Sequence, residues 1–359
     1  MLDLTASERL NFPMDRRTFL RQSSAALAAT AFSSCSSGAE TPTLHVFTWS
    51  DYLDPALQEK FETLHKCKVV IDTFDSNESL YAKLKAGASG YDVLFPTAYM
   101  IQVMHQEGML ADLDHSKLPN LKNIDSSVLD KVIDKTMTHS VPYTLAYAVI
   151  AYRKDKITVP KPSWNLFENP AAAQRMTLFD DMRETIGAAL KSLGYSINTR
   201  NEAELAQAQE VLLRWKKNAA KLDNEGYKSG LDSGEFILVH GYSGDLFQVA
   251  QENDKIGILI PEEGVTMGCD EMVIPKSAPQ KELAHALINH LLDPAIAAEN
   301  MQWMGYLCPN VEALKKVNPA FLQNPAVIIP DAVRAKSEVI QDLGPDLAKY
   351  SQVWDAVKR

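Results

Sequence analysis

Beyond residue 40 this 359-residue chain nowhere strings together the ~18 apolar residues that a membrane-spanning helix needs, so its body is not expected to cross a bilayer. It also lacks any cluster of Lys and Arg, and its formal net charge is −10. Phosphate backbones are held by basic surfaces, so nucleic acid is not expected as a partner. Cys35, Cys67, Cys269 and Cys308 have no metal-type spacing and form no CxxC, and the histidines are scattered. His285 and His290 are five apart and do not share a helical face, so no metal site is expected. GxGxxG and the phosphate loop are missing. Gly241, Tyr242, Ser243 and Gly244 have the wrong spacing for a GxSxG nucleophile elbow. No cofactor is expected. No internal repeat is visible, and no low-complexity run beyond the N-terminal segment.

What is present is a globular composition, 46% apolar and 23% charged, in a chain too long for one ordinary core. Two domains are expected. The first 40 residues stand apart from the fold. Starts are available at Met1 and Met14; from Met14 the chain carries twin arginines (Arg16, Arg17), then Phe19 and Leu20, then an Ala-rich run ending at Cys35. This resembles a twin-arginine export signal followed by a lipoprotein cleavage site, with Phe32, Ser33 and Ser34 an approximate lipobox. It predicts a periplasmic protein with Cys35 as the lipid attachment; an ordinary export signal is the alternative. Residues 36–43 form a polar tether.

The rest of the chain is organised around VFTWSDYLDP at 46–55. A buried strand over 43–48 ends in Trp49, Ser50, Asp51 and Tyr52, and Asp54 and Pro55 open a helix. In open α/β sheets ligands bind beyond the carboxyl ends of the strands. Aromatic faces beside a carboxylate suit an organic cation. Strands over 68–74 and 91–95 alternate with helices over 55–65, 77–86 and 99–107, and the third strand delivers Thr97 and Tyr99 to the same edge. Residues 141–152 read as a buried strand leaving one sheet for another. A strand over 175–179 leads to Asp181 and Glu184, three apart on one helical face. A strand over 236–240 is followed by a turn, 241–245, carrying Tyr242 and Asp245. A strand over 256–260 precedes MGCDEMVIP at 267–275, which looks like a return crossing with Asp270 near a hinge. Helices over 202–218, 280–292 and 294–304 follow the same periodicity, Tyr306 comes just after the last, and the final 50 residues read as helical. Packing alone would account for each aromatic, and capping or the helix dipole for Asp181 and Glu184; the recurrence at successive strand ends favours a site.

From about Thr43 onward the chain resembles the periplasmic spermidine/putrescine-binding proteins of bacterial ABC importers. WSDY at 49–52, PTAY at 96–99, DDMRETIGAALKSLGYS at 180–196, GYSGD at 241–245, MGCDEMVIP, INHLLDP at 288–294 and GYLCPN at 305–310 occur in the family's order. The resemblance implies an α/β, type II periplasmic-binding-protein-like fold: two α/β lobes, joined by two hinge crossovers, with a ligand cleft between them. Residues 41–145 plus 269–314 are expected to form one lobe, and 146–268 plus 315–359 the other. It further implies cleft aromatics at Trp49, Tyr52, Tyr99, Tyr242 and Tyr306, and amine-binding acids at Asp181, Glu184, Asp245 and Asp270. Ser50, Asp51 and Thr97 fall on contact positions. Tyr242 stands where the family usually has Trp, and Gly268 where it often has Trp or Phe.

The expected function is therefore non-enzymatic: a monomer that binds a polyamine and hands it to a membrane permease by lobe closure. The membrane is reached only through the N-terminal lipid. A buried ammonium requires a paired carboxylate, and the methylene chain requires apolar walls. Two alternatives remain: a binder or sensor of another small cationic solute on the same fold, and a secreted hydrolase using Asp181 and Glu184 as an acid pair.

Overall fold

The computed structural model describes residues 41–359 apart from 130, 131, 133, 160, 325 and 326. The export segment and Cys35 lie outside the described residues.

Strand β1 (Thr43–Thr48) pairs in parallel with β2 (Lys68–Thr73) and β3 (Val93–Leu94). The connecting helices are α1 (Pro55–His65) and α2 (Asn77–Lys85), and α3 (Ala98–Gln106) follows β3. Local chemistry sets their starts. Asp54 accepts from Ala56 N at 2.8 Å with Pro55 at the first helical position, and Ser76 accepts from Ser79 N at 3.2 Å.

Strand β4 (Ser140–Arg153) does what its long apolar middle predicts. Residues Ser140–Tyr147 pair with β9 (Thr266–Val273), and Ala148–Arg153 with β7 (Leu238–Tyr242) and β8 (Ile256–Leu259), so one strand serves two sheets. β7 in turn pairs with β5 (Met176–Leu178), and β5 with β6 (Lys221–Leu222), both in parallel. β9 runs back beside β4 and touches β3 at Leu94. Each sheet has its own core. Leu44, Val46, Phe61 and Val93 pack on one side, and Trp164, Phe167, Trp215 and Tyr350 on the other. Helices α4 (Met182–Ser192), α5 (Glu202–Asn218), α6 (Tyr227–Ser233) and α7 (Ser243–Glu252) belong to the β7 side. Helices α8 (Lys281–Leu291) and α9 (Pro294–Met304) pack on the β1 side, where Ala284, Leu287, Ala297 and Met301 join its core. The terminal helix α10 (Leu347–Lys358) packs on α4 and α5.

Two expectations need correction. The strand read at 236–240 is shifted to Leu238–Tyr242, and no five-residue turn follows, because α7 starts at Ser243. Gly241 and Tyr242 stay extended because they pair with Val149 and Ala148 of β4. The tail is not wholly helical either: β10 (Glu338–Val339) pairs in parallel with Thr266 and Met267 at the start of β9. Two residues carry no readable period, so only the neighbouring strand reveals it.

Candidate functional site

Two pairs of parallel strands, β1 with β3 and β5 with β7, bring their carboxyl ends to one place. β1 delivers Trp49, Ser50 and Tyr52; β3 delivers Thr97 and Tyr99; β5 delivers Asp181 and Glu184; β7 delivers Tyr242 and Asp245. β9 crosses the floor with Met267, Gly268 and Asp270, and Tyr306 follows α9. These side chains line a cleft of about 820 Å³, mouth included. Every candidate named from the sequence lines it except Asp51. That carboxylate lies 2.9 Å from Nζ of Lys228, and its backbone has a φ of +56°.

The aromatic walls are braced by neighbouring rings. Trp49 packs on Phe74 with ring centroids 4.4 Å apart, Tyr52 on Tyr306 at 5.5 Å, and Tyr242 on Phe179 at 4.4 Å. Bracing of this kind fixes the rings with little entropy left to lose on binding. Gly268 leaves a gap, since a β-carbon there would meet only Thr97 Cγ2 at 3.8 Å. Near the C-terminal tail, β10 and its exit line the cleft with Val339 and Ile340, so the wall there is apolar.

Asp270 is the anchored acid. Thr97 Oγ1 donates to its Oδ1 at 2.6 Å and Tyr52 Oη donates to its Oδ2. Asn77 supports Thr97 twice, donating to Oγ1 at 3.0 Å and accepting from the backbone N at 2.9 Å.

The sequence matches the pattern of bacterial extracellular solute-binding proteins over residues 56–328. A putrescine/cadaverine-binding protein of Pseudomonas aeruginosa is 31% identical over 347 residues, 92% of this chain and 98% of its own. A spermidine/putrescine-binding periplasmic protein of Salmonella typhimurium is 34% identical over 329 residues, 90% and 94% of the two chains. Among solved structures, a spermidine/putrescine ABC transporter substrate-binding protein from Streptococcus pneumoniae superposes with a TM-score of 0.76 at 28% identity, covering 89% of this chain and 99% of its own.

The chain belongs to the bacterial extracellular solute-binding proteins.

Its two α/β lobes with a cleft between them are the type II periplasmic-binding fold expected from the sequence. No described helix of this solute-binding protein is long and apolar enough to cross a membrane.

The acids of this solute-binding protein differ in what surrounds them. Burial, with the Asp181 charge beside it, pushes Glu184 up to about 8, and its Oε2 is buried without a hydrogen-bond partner. Asp181 is pushed up to about 6 by burial and by Glu78, although its Oδ1 accepts from Glu184 N at 2.9 Å as the cap of α4. Burial also pushes Asp270 up to about 6, partly offset by the hydroxyls of Thr97, Tyr52 and Thr144. Burial thus favours the protonated form of all three acids.

Sequence reasoning missed Asp75, Asn77, Asn224, Glu225 and Lys228, all of which line the cleft. Asp75 and Asn77 follow β2 and were open to the same strand-end argument that found Trp49. Asn224, Glu225 and Lys228 follow β6, whose two residues leave no signal in the sequence. Cys269 and Cys308 are both buried as free thiols.

Proposed function

We propose that the protein is the extracytoplasmic, non-enzymatic polyamine-binding subunit of an ABC importer, delivering putrescine- or spermidine-like ligands to a membrane permease by closing its lobes. The observation that carries this reading is a cleft walled by Trp49, Tyr52, Tyr99, Tyr242 and Tyr306 in which Glu184 keeps a buried carboxylate oxygen without a partner. A buried acceptor left unsatisfied costs free energy that an ammonium would recover, and the rings suit both the cation and its methylenes. The names of the Pseudomonas and Salmonella relatives support the same class of ligand.

In this reading Asp181, Glu184 and Asp270 meet the ammonium groups, Asp245 closes the far end, and Ser50 and Thr97 supply hydroxyls. Asp51 acts at the rim. The lobes comprise 41–145 plus 269–314 and 146–268 plus 315–359, with β4 and β9 as the hinge, in the closure mode of periplasmic binding proteins. Export by the twin-arginine signal, lipidation at Cys35 and a monomeric state complete the proposal. Asp181 spends one oxygen capping α4, which leaves it poorly placed as a general acid and favours a binding role.

Titration calorimetry with putrescine, spermidine and spermine tests the reading. Binding tighter than about 1 mM, or about −4 kcal/mol, is expected for at least one. Three flat titrations would sink it.

A further inference from the structure

The carboxylates of the cleft differ in the cations they already hold. Asp245 is satisfied by the protein itself: Tyr227 Oη donates to Oδ2 at 2.5 Å, Tyr306 Oη donates to Oδ1 at 3.2 Å, and Lys228 Nζ stands 3.8 Å from Oδ2. The same ammonium lies 2.9 Å from Asp51 Oδ2 and 3.8 Å from Glu225 Oε2. Lys228 is the only Lys or Arg among the described residues that line the cleft, and little of its side chain is exposed. Burial works against its charge, but Asp245, Asp51 and Glu225 more than offset this and hold Lys228 above the ordinary lysine range, so it is a permanent cation there. Its position is fixed by its neighbour, because Tyr227 opens the same helix, is buried, and is tied to Asp245.

Three other carboxylates of the cleft are different. No ion pair joins Asp181, Glu184 or Asp270 to a Lys or Arg among the described residues. The nearby Arg183 is turned to Gln341 O at 3.0 Å and Asn198 Oδ1 at 2.9 Å. Glu184 Oε2 is buried without a partner.

We propose that Lys228 is a specificity-determining residue, whose ammonium stands beside Asp245 as a built-in counter-charge and discriminates against any ligand that would place a further ammonium there. The inference rests on the polyamine reading and sharpens it. A short diamine finds carboxylates with no built-in cation at Asp181, Glu184 and Asp270. A triamine or tetraamine reaching toward Asp245 meets a like charge, and such juxtaposition is an efficient way to reject a ligand. It must either stay clear of Lys228 or displace it from three carboxylates.

Calorimetry of the wild type, Lys228→Met and Lys228→Arg with 1,4-diaminobutane and with spermidine tests this. In Lys228→Met the ratio of spermidine to diamine affinity is expected to rise roughly tenfold or more, the scale on which like-charge contacts select partners. Lys228→Arg, which keeps the charge, is expected to keep the wild-type ratio. An unchanged ratio in Lys228→Met overturns the proposal even if both affinities move together. Thermal melts report folding, and Lys228→Gln replaces the methionine variant should that fail to fold. A wild type that binds neither amine would instead overturn the polyamine reading, and this inference with it; that outcome is recognised before any variant is made.

Discussion

The ring of Tyr306 lies against the backbone of Gly244 so closely that a β-carbon at 244 would sit 2.2 Å from its Cε2. The contact brings together the start of α7 and the exit of α9, and it holds Tyr306 Oη 3.2 Å from Asp245 Oδ1. The glycine of GYSGD thus serves an aromatic wall and not a phosphate.

Gly244→Ala should therefore push Tyr306 out of place. The expected result is a loss of about 1–3 kcal/mol in stability, the usual cost of overpacking, with weaker ligand binding beside it. Thermal melts and calorimetry on the same sample check both.

Asp270 and Asp51 should respond differently to the same change. Asp270→Asn removes a buried charge tied to Thr97 and Tyr52, and is expected to weaken polyamine binding by roughly 2 kcal/mol or more. Asp51→Asn touches only a rim carboxylate outside the cleft, and its effect should stay within about 1 kcal/mol. Equal effects would contradict the arrangement described.

Binding should tighten between pH 6 and pH 8. Glu184 is raised to about 8 by burial and by Asp181, so below that pH a bound ammonium must expel its proton, while the amines themselves stay charged. One released proton gives a limiting slope of about tenfold in affinity per pH unit. Calorimetry in buffers of different ionisation enthalpy reads the proton count; no release at pH 7 would remove Glu184 from the ammonium site.

The ligand-free protein should show the opposite trend in stability. A carboxyl group whose folded pKa is raised binds a proton in the native state that the unfolded chain has lost. Its contribution is complete below the ordinary carboxylate range and disappears as pH rises to about 8. Glu271, buried beside Ser140 and also raised to about 8, acts with the same sign. The melting temperature should fall from pH 6 to pH 9, and Glu184→Gln should flatten that fall.

The alternation of strands and helices, the double service of β4, and the acids and aromatics at the ends of β1, β3, β5 and β7 are legible in the order of the amino acids alone. Those features are local: periodicity, caps and strand ends are written within about ten residues of one another. Trp49, Tyr99, Glu184 and Tyr242 were legible for that reason, even though Tyr242 was placed in a turn rather than in its strand. Which charges meet depends on how the chain packs. Asp51 and Lys228 are 177 residues apart, and the ammonium they share stands 3.8 Å from Asp245. β6 and β10, two residues each, exist because a neighbouring strand supplies their hydrogen bonds, so Lys228 and Ile340 could not be assigned to the cleft from sequence pattern. The class of ligand is written in residue types at strand ends; the charge balance of the cleft depends on distances across it.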